Sequence, residues 1–156
     1  MTPRNQAGFT AAEILVVVAI IGILAAVAIP SMSTMLATQA VRSAAYDLNA
    51  DLVYARSEAI SRGTSVTITG ASTTDFKKGW TIATATDTLR TQPERTSKLA
   101  FTASNATYTF DRTGRVTVGA PATFTIVATG ATQDYQKRCV KLDPSGRPRS
   151  NEGVCA

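Results

Sequence analysis

The sequence predicts an α+β fold in which a long N-terminal helix precedes an antiparallel β domain. Two observations lead to this prediction. An apolar run near the N-terminus continues into a stripe of apolar residues with helical spacing. Short β-branched or aromatic runs, bounded by turn residues, follow that stripe. The 156 residues are enough for one domain of ordinary size.

The composition excludes several classes of function. The chain has no histidine, so neither a Ser-His-Asp nor a Cys-His nucleophile pair nor an imidazole zinc site can form. With 44% hydrophobic and 17% charged residues, it is too apolar for a disordered chain. Asp47 and Asp51 have helical i, i+4 spacing, but like charges so placed are typical of a polar face. We therefore expect a protein that is not an enzyme and needs no metal or cofactor.

The N-terminal apolar run is long enough to cross a membrane. Its 21 residues, from Phe9 to Ile29, contain one charge, Glu13, and as a helix they would extend about 31 Å, the thickness of a bilayer core. A carboxylate at that depth costs about 2.5–3.5 kcal/mol and therefore needs a partner. Arg4 precedes the run, so the positive-inside tendency places the N-terminus in the cytoplasm and the following domain in the periplasm.

The same region resembles a known processing signal. The residues from Gly8 to Pro30 read GFTAAEILVVVAIIGILAAVAIP, and they resemble the class III signal of type IV pilins and type II secretion pseudopilins. The resemblance implies that prepilin peptidase cleaves between Gly8 and Phe9 and methylates the new amine. It also implies that Glu13 pairs with the N-terminal amine of a neighbouring pilin in the filament. Ala11 and Ala12 depart from the larger aliphatic residues of the family, and an ordinary membrane anchor is the alternative.

The helical pattern continues past Pro30 with an amphipathic character. Polar side chains such as Arg42 and Arg62 alternate with the apolar stripe, and Gly63 is a plausible helix stop. Arg56 and Glu58 are two residues apart and cannot face each other on a helix, so we expect a solvated or capping role for them. The apolar stripe, predicted to pack on the domain core, comprises Val41, Ala45, Leu48, Leu52, Ala55 and Ala59.

Five runs with strand character follow the helix, and they suggest an antiparallel sheet. They are residues 65–69, 79–83, 107–110, 115–118 and 124–128. The sequence LVYARSEAISR, with the later Val66-Thr67-Ile68 and Gly79-Trp80, resembles the FimT and GspH branch of the pilin superfamily. That resemblance implies a small antiparallel β-sandwich. The expected organisation is a leader (1–8), a transmembrane helix half (9–30), an amphipathic helix half (31–63), a β domain (64–134) and a basic C-terminal loop or tail (135–156).

The C-terminal segment is basic and contains both cysteines. Residues 135–156 carry five cationic and two anionic side chains out of a formal net charge of +5 for the whole chain. Because the periplasm is oxidising, we expect a disulfide between Cys139 and Cys155. It would close a loop that stabilises the fold by about 3 kcal/mol in the chain-entropy model.

A short arginine motif lies between the cysteines. Pro148 favours extended chain, which places Arg147 and Arg149 about 6–7 Å apart, near the spacing of neighbouring phosphates on a DNA strand. Gly146-Arg147-Pro148-Arg149 resembles the Gly-Arg-x-Arg motif of FimT minor pilins that bind DNA in natural transformation. The resemblance implies sequence-independent binding of double-stranded DNA by a minor pilin, in an inner-membrane protein that joins other minor and major pilins. The neighbouring cations expected to extend the patch are Lys137, Arg138 and Lys141.

Two other interpretations of the tail stay open. It is either a solvated turn that docks on an acidic neighbouring pilin, or part of a GspH-like type II secretion pseudopilin with a structural role only. The second alternative has the same leader and sandwich and predicts that the charge of the tail does not matter for function.

Overall fold

One long helix and nine strands make up the described part of the chain. The computed structural model describes residues 10–72, 75–95 and 98–155. It divides into two compact units, the first ending at Leu36 and the second beginning at Ala37. The helix is α1 (Ala11–Arg62), and two 3₁₀ turns lie at Phe76–Lys78 and Asp134–Gln136. The strands are β1 (Val66–Gly70), β2 (Trp80–Ala83), β3 (Thr88–Gln92), β4 (Leu99–Ala103), β5 (Thr107–Phe110), β6 (Val116–Val118), β7 (Ala122–Ala128), β8 (Lys137–Leu142) and β9 (Pro148–Glu152).

The first unit exposes its apolar side chains. Leu15 is 70% exposed and Val27 is 75% exposed. By length and composition α1 could cross a membrane. Its first turn is a capping box, because the Thr10 N–H donates to Glu13 Oε2 at 2.7 Å and the Glu13 N–H donates to Thr10 Oγ1 at 3.3 Å. The predicted cleavage site, between Gly8 and Phe9, lies outside the described residues.

In the second unit the predicted helical stripe is confirmed as core. All six of its residues are at most 3% exposed. The helix ends at Arg62, and Gly63 follows with a φ of +63°, a left-handed conformation that glycine adopts without strain. The spacing of the apolar residues therefore located the buried face of α1, and Gly63 located its end.

Two antiparallel sheets share one core with this helix face. The first has the order β3-β2-β1-β5-β6 and the second the order β4-β7-β8-β9. The Phe76 ring lies 6.0 Å from the Trp80 ring of the first sheet and 5.9 Å and 5.4 Å from the Phe101 and Phe124 rings of the second. Aromatic contacts at these distances join the two sheets face to face. The predicted α+β fold with a small sandwich is confirmed.

The two helical aspartates link α1 to the first sheet. Asp51 is 1% exposed and accepts hydrogen bonds from Trp80 Nε1 at 2.8 Å and from Arg90 Nη1 at 2.7 Å. Asp47 pairs with Arg95 at 2.8 Å. A buried carboxylate needs such partners to offset its desolvation. These side chains, predicted to mark a polar face, therefore anchor the helix.

The C-terminal segment, expected to be a loop or tail, contains two strands of the second sheet. β8 pairs with β7 along its whole length, and β9 pairs with β8 from Arg138↔Glu152 to Leu142↔Pro148. Cys139 and Cys155 are joined as predicted. β9 is an edge strand, and edge strands of soluble proteins carry charged residues that obscure the alternation of apolar and polar positions.

Candidate nucleic-acid interface

The turn between β8 and β9 is held by its own aspartate. Asp143 Oδ1 accepts the N–H of Ser145 at 2.9 Å, the Ser145 hydroxyl, and the N–H of Arg147 at 3.3 Å. The Gly146 N–H closes the turn on the Asp143 carbonyl at 2.9 Å. The Ser145 hydroxyl is the main cause that lowers the pKa of Asp143 below its ordinary 3.8, and the N–H donors of Arg147 and Ser145 and the positive charge of Arg149 lower it further. The carboxylate is thus ionised at neutral pH and fixes the backbone on both sides of Gly146.

Gly146 occupies a position that no other residue fits without strain. Its φ is +77°, and a Cβ there would lie 2.1 Å from the carbonyl oxygen of Gly114. Arg56 Nε donates to that same oxygen at 3.1 Å, and the Val116 N–H donates to the Pro144 carbonyl at 3.1 Å. The expectation of a solvated or capping role for Arg56 is therefore wrong, because its side chain is hydrogen-bonded to the Gly114 carbonyl, against which Gly146 packs.

The two arginines of the motif lie on the β8–β9 turn and the start of β9, and their side chains are exposed to solvent. Arg147 and Arg149 are both exposed, and neither has an ion-pair partner among the described residues. Pro148 begins β9, so the chain between them is extended, as the motif predicts. In the strand register Arg149 lies opposite Lys141. Like charges directly opposite each other on neighbouring strands destabilise a sheet. This end of the hairpin therefore concentrates positive charge at a cost in stability.

The two other predicted cations have carboxylate partners. Lys137 Nζ lies 3.2 Å from Asp134 Oδ1, and Arg138 Nη1 lies 2.9 Å from Glu152 Oε1. Their side chains are only 21% and 16% exposed. The structure therefore places Lys137 and Arg138 near the motif but balances their charges, and their part in binding stays a prediction.

Sequence reasoning missed a second turn of the same design. Between β5 and β6, Asp111 Oδ1 accepts the N–H of Thr113 at 2.7 Å, its hydroxyl at 2.6 Å, and the N–H of Arg115 at 3.1 Å. Gly114 has a φ of +76°. The signal was present in the sequence, because the pattern Asp-x-(Ser/Thr)-Gly-Arg occurs at residues 111–115 and again at residues 143–147.

Among the described residues, no group of three or more His, Cys, Asp or Glu side chains is placed to hold a metal ion. The chemistry available at the two turns is that of exposed guanidinium groups carried on a backbone that its own hydrogen bonds hold in place. Such groups bind anionic oxygens without making or breaking bonds.

Comparisons with known proteins agree with the architecture. A family model described as type II transport protein GspH matches residues 44–146, and a model of the prokaryotic N-terminal methylation motif matches residues 3–29. No curated protein sequence matches the chain significantly.

Three solved structures resemble the fold. The type IV minor pilin FimU of Pseudomonas aeruginosa PAO1, in two crystal forms, is 28% identical with TM-scores of 0.64 and 0.62. The alignments cover 71% and 70% of this chain and 87% and 91% of FimU. The minor pseudopilin EpsH of the Vibrio cholerae type 2 secretion system is 17% identical with a TM-score of 0.57, over 72% of this chain and 96% of EpsH, which shows a common fold alone. Since the GspH model matches more than half of the chain and the methylation motif matches its apolar N-terminus, the chain belongs to the GspH family of type IV pilin-like proteins.

Proposed function

We propose that the protein is a minor type IV pilin whose β8–β9 turn binds the phosphate backbone of double-stranded DNA and supports DNA uptake in natural transformation. The observation that carries the proposal is the pair Arg147 and Arg149, exposed and without ion-pair partners in the described chain, on a turn that Asp143 and Gly146 hold rigidly. A backbone fixed before binding loses little conformational entropy when the ligand arrives.

The chemistry of this surface favours phosphates over bases. A guanidinium fork matches two phosphate oxygens, and each phosphate that it neutralises releases a condensed counterion. The motif lies on a hairpin turn and an edge strand, where its side chains can contact the sugar-phosphate backbone. We therefore expect binding that is strongly salt-dependent and indifferent to DNA sequence.

The N-terminal helix supplies the anchor in this proposal. Prepilin peptidase would cleave between Gly8 and Phe9 and methylate Phe9, and the chain would sit in the inner membrane with its second unit in the periplasm. In the single chain the Glu13 carboxylate accepts the Thr10 N–H. In a pilus, among minor and major pilins, that carboxylate would gain the amine of a neighbouring subunit, which offsets the cost of a carboxylate in an apolar layer.

Fluorescence anisotropy tests the binding directly. The mature full-length chain in a nonionic detergent is titrated into a labelled duplex at several salt concentrations. We expect log K to fall linearly with log salt, and the Arg147→Gln/Arg149→Gln pair to weaken binding about sixtyfold at 0.1 M salt, since each phosphate contact contributes about 0.9 to the slope. The control pair, Lys77→Gln/Lys78→Gln, removes the same charge elsewhere on the fold. Unchanged affinity in the arginine pair would overturn the proposal.

A second candidate is a type II secretion pseudopilin, and the family match to GspH over residues 44–146 favours it. A deletion strain separates the two functions. A strain that transforms normally but fails to secrete supports the pseudopilin, whereas a strain that secretes normally but fails to transform supports the DNA-binding pilin.

A further inference from the structure

We infer that the Asp111–Arg115 turn is a second phosphate-binding element, so that DNA lies across two adjoining turns and contacts Arg112 and Arg115 as well as the tail arginines. This inference rests on the proposed function and extends its surface. It follows from three observations: the turns have the same internal design, they are in direct contact, and their arginines are left without carboxylate partners.

The two turns are equivalent in their backbone. In each, one aspartate oxygen accepts two N–H donors and a hydroxyl, and the glycine before the arginine has a φ of +76° or +77°. The aspartate oxygen is occupied by the turn itself and holds the backbone in place. Asp111 attracts Arg115 and Asp143 attracts Arg149 electrostatically, but neither pair is within ion-pair distance. Each turn therefore presents its arginine from the same fixed geometry.

Direct contacts make the turns a single surface. The Val116 N–H donates to the Pro144 carbonyl at 3.1 Å, and Gly146 packs on the Gly114 carbonyl. Arg56 Nε holds that carbonyl at 3.1 Å. The turns lead into β6 and β9, which are edge strands of the two sheets, and the Val116–Pro144 hydrogen bond places these two edges side by side. A ligand that contacts Arg147 therefore also lies close to the Asp111–Arg115 turn.

The distribution of ion pairs points to an anionic ligand. Four arginines outside the two turns have carboxylate partners, namely Arg62, Arg90, Arg95 and Arg138. Arg42 and Arg56 of α1 form no ion pair among the described residues, but they are single side chains on a helix, and Arg56 donates to the Gly114 carbonyl. The exposed arginines of the two turns have no such partner among the described residues, and they are Arg112, Arg115, Arg147 and Arg149. Several unpaired guanidinium groups on one surface repel each other, and a ligand with repeated phosphates relieves that repulsion. A single phosphate would engage only part of the surface, which favours a polynucleotide.

The test compares three double variants of the full mature chain, each lacking two positive charges, by anisotropy with the same duplex. They are Arg112→Gln/Arg115→Gln, Arg147→Gln/Arg149→Gln and Lys77→Gln/Lys78→Gln. The lysine pair lies in the 3₁₀ turn that packs on β4, at the opposite edge of the second sheet from β9. We expect each arginine pair to lower the steepness of the salt slope by about 1.8 and to weaken binding about sixtyfold at 0.1 M salt. The lysine pair should stay within about twofold of wild type.

The outcomes separate this inference from the proposed function. If only the tail pair weakens binding, DNA binding stands and the second turn is not part of it. If all three pairs weaken binding equally, net charge rather than the two turns controls affinity, and the inference is overturned. Urea midpoints from Trp80 fluorescence, unchanged in all variants, show that each loss is one of binding and not of folding.

Discussion

Replacing Gly146 with alanine should destabilise the second unit by about 2–5 kcal/mol. An L-residue held at a φ of +77° costs roughly 1–2 kcal/mol. The added Cβ would also lie 2.1 Å from the Gly114 carbonyl oxygen, an atom of the backbone that is held by Arg56. Relieving a contact of this kind requires the two turns to separate, and such overpacking costs about 1–3 kcal/mol.

A second glycine isolates the steric part of this cost. Gly130 has the same φ, +77°, but a Cβ there would meet no described atom within 4 Å. Gly130→Ala therefore carries the backbone cost without the clash. The difference in unfolding free energy between the two variants measures how tightly the two turns are packed.

Urea unfolding of the mature chain in nonionic detergent is a suitable assay. Trp80 is the chain's only tryptophan and is 1% exposed, so its fluorescence reports on the shared core. With a denaturant slope of about 2 kcal/mol/M, Gly146→Ala should lower the midpoint by about 1–2.5 M and Gly130→Ala by about 0.5–1 M. If the two midpoints fall equally, the contact between the turns does not contribute to stability and the reasoning above is refuted.

Two further predictions concern the aspartates. Ser145→Ala should raise the pKa of Asp143 towards 3.8 and leave that of Asp111 unchanged, as followed by NMR of the carboxyl carbons, because the serine hydroxyl is the largest cause of the lowered value. Because the pKa of Asp143 is lowered in the folded state, the carboxylate contributes stability that is fully present above its unfolded pKa, near 3.8, and is lost as the pH falls through the lower folded-state pKa. Ser145→Ala should therefore be less stable than wild type at neutral pH, and its stability should change less on acidification. Asp51→Asn should destabilise the fold by about 2 kcal/mol in the urea assay, since Trp80 and Arg90 lose a charged acceptor, whereas no change would show that the buried carboxylate is not needed.

Much of the fold was predictable because local patterns and burial coincide. The helical stripe from Val41 to Ala59 and the strands around Ile68 and Ile126 are apolar on the face that meets the core. Four strands escaped prediction, and only two of them lack this signal, since β4 alternates buried and exposed residues and β8 buries three of its six. β3 and β9 lie at sheet edges, and three or more residues of each are exposed, so their sequence is polar although their backbone is paired.

The candidate site was predictable only in part. The tetrapeptide at residues 146–149 is visible in the sequence, but the reason for its glycine is not, since the carbonyl that excludes a Cβ belongs to Gly114. The same holds for Arg56, which lies 58 residues from the carbonyl that it contacts. Contacts between distant turns depend on how the two sheets pack, and no local pattern encodes that packing.

The charge of the tail shows how the structure changes a prediction from composition. Lys137 and Arg138 look equivalent to Arg147 and Arg149 in the sequence, but Asp134 and Glu152 neutralise them. Counterion release counts only the cations that meet phosphates. Three cations, Arg147, Arg149 and Lys141, would give a salt slope of about −2.7. The four arginines of both turns would give about −3.6, and those four arginines together with Lys141 would give about −4.5. A slope steeper than about −3 therefore requires cations beyond those three, and the Asp111–Arg115 turn, in contact with the tail, is where the fold supplies them.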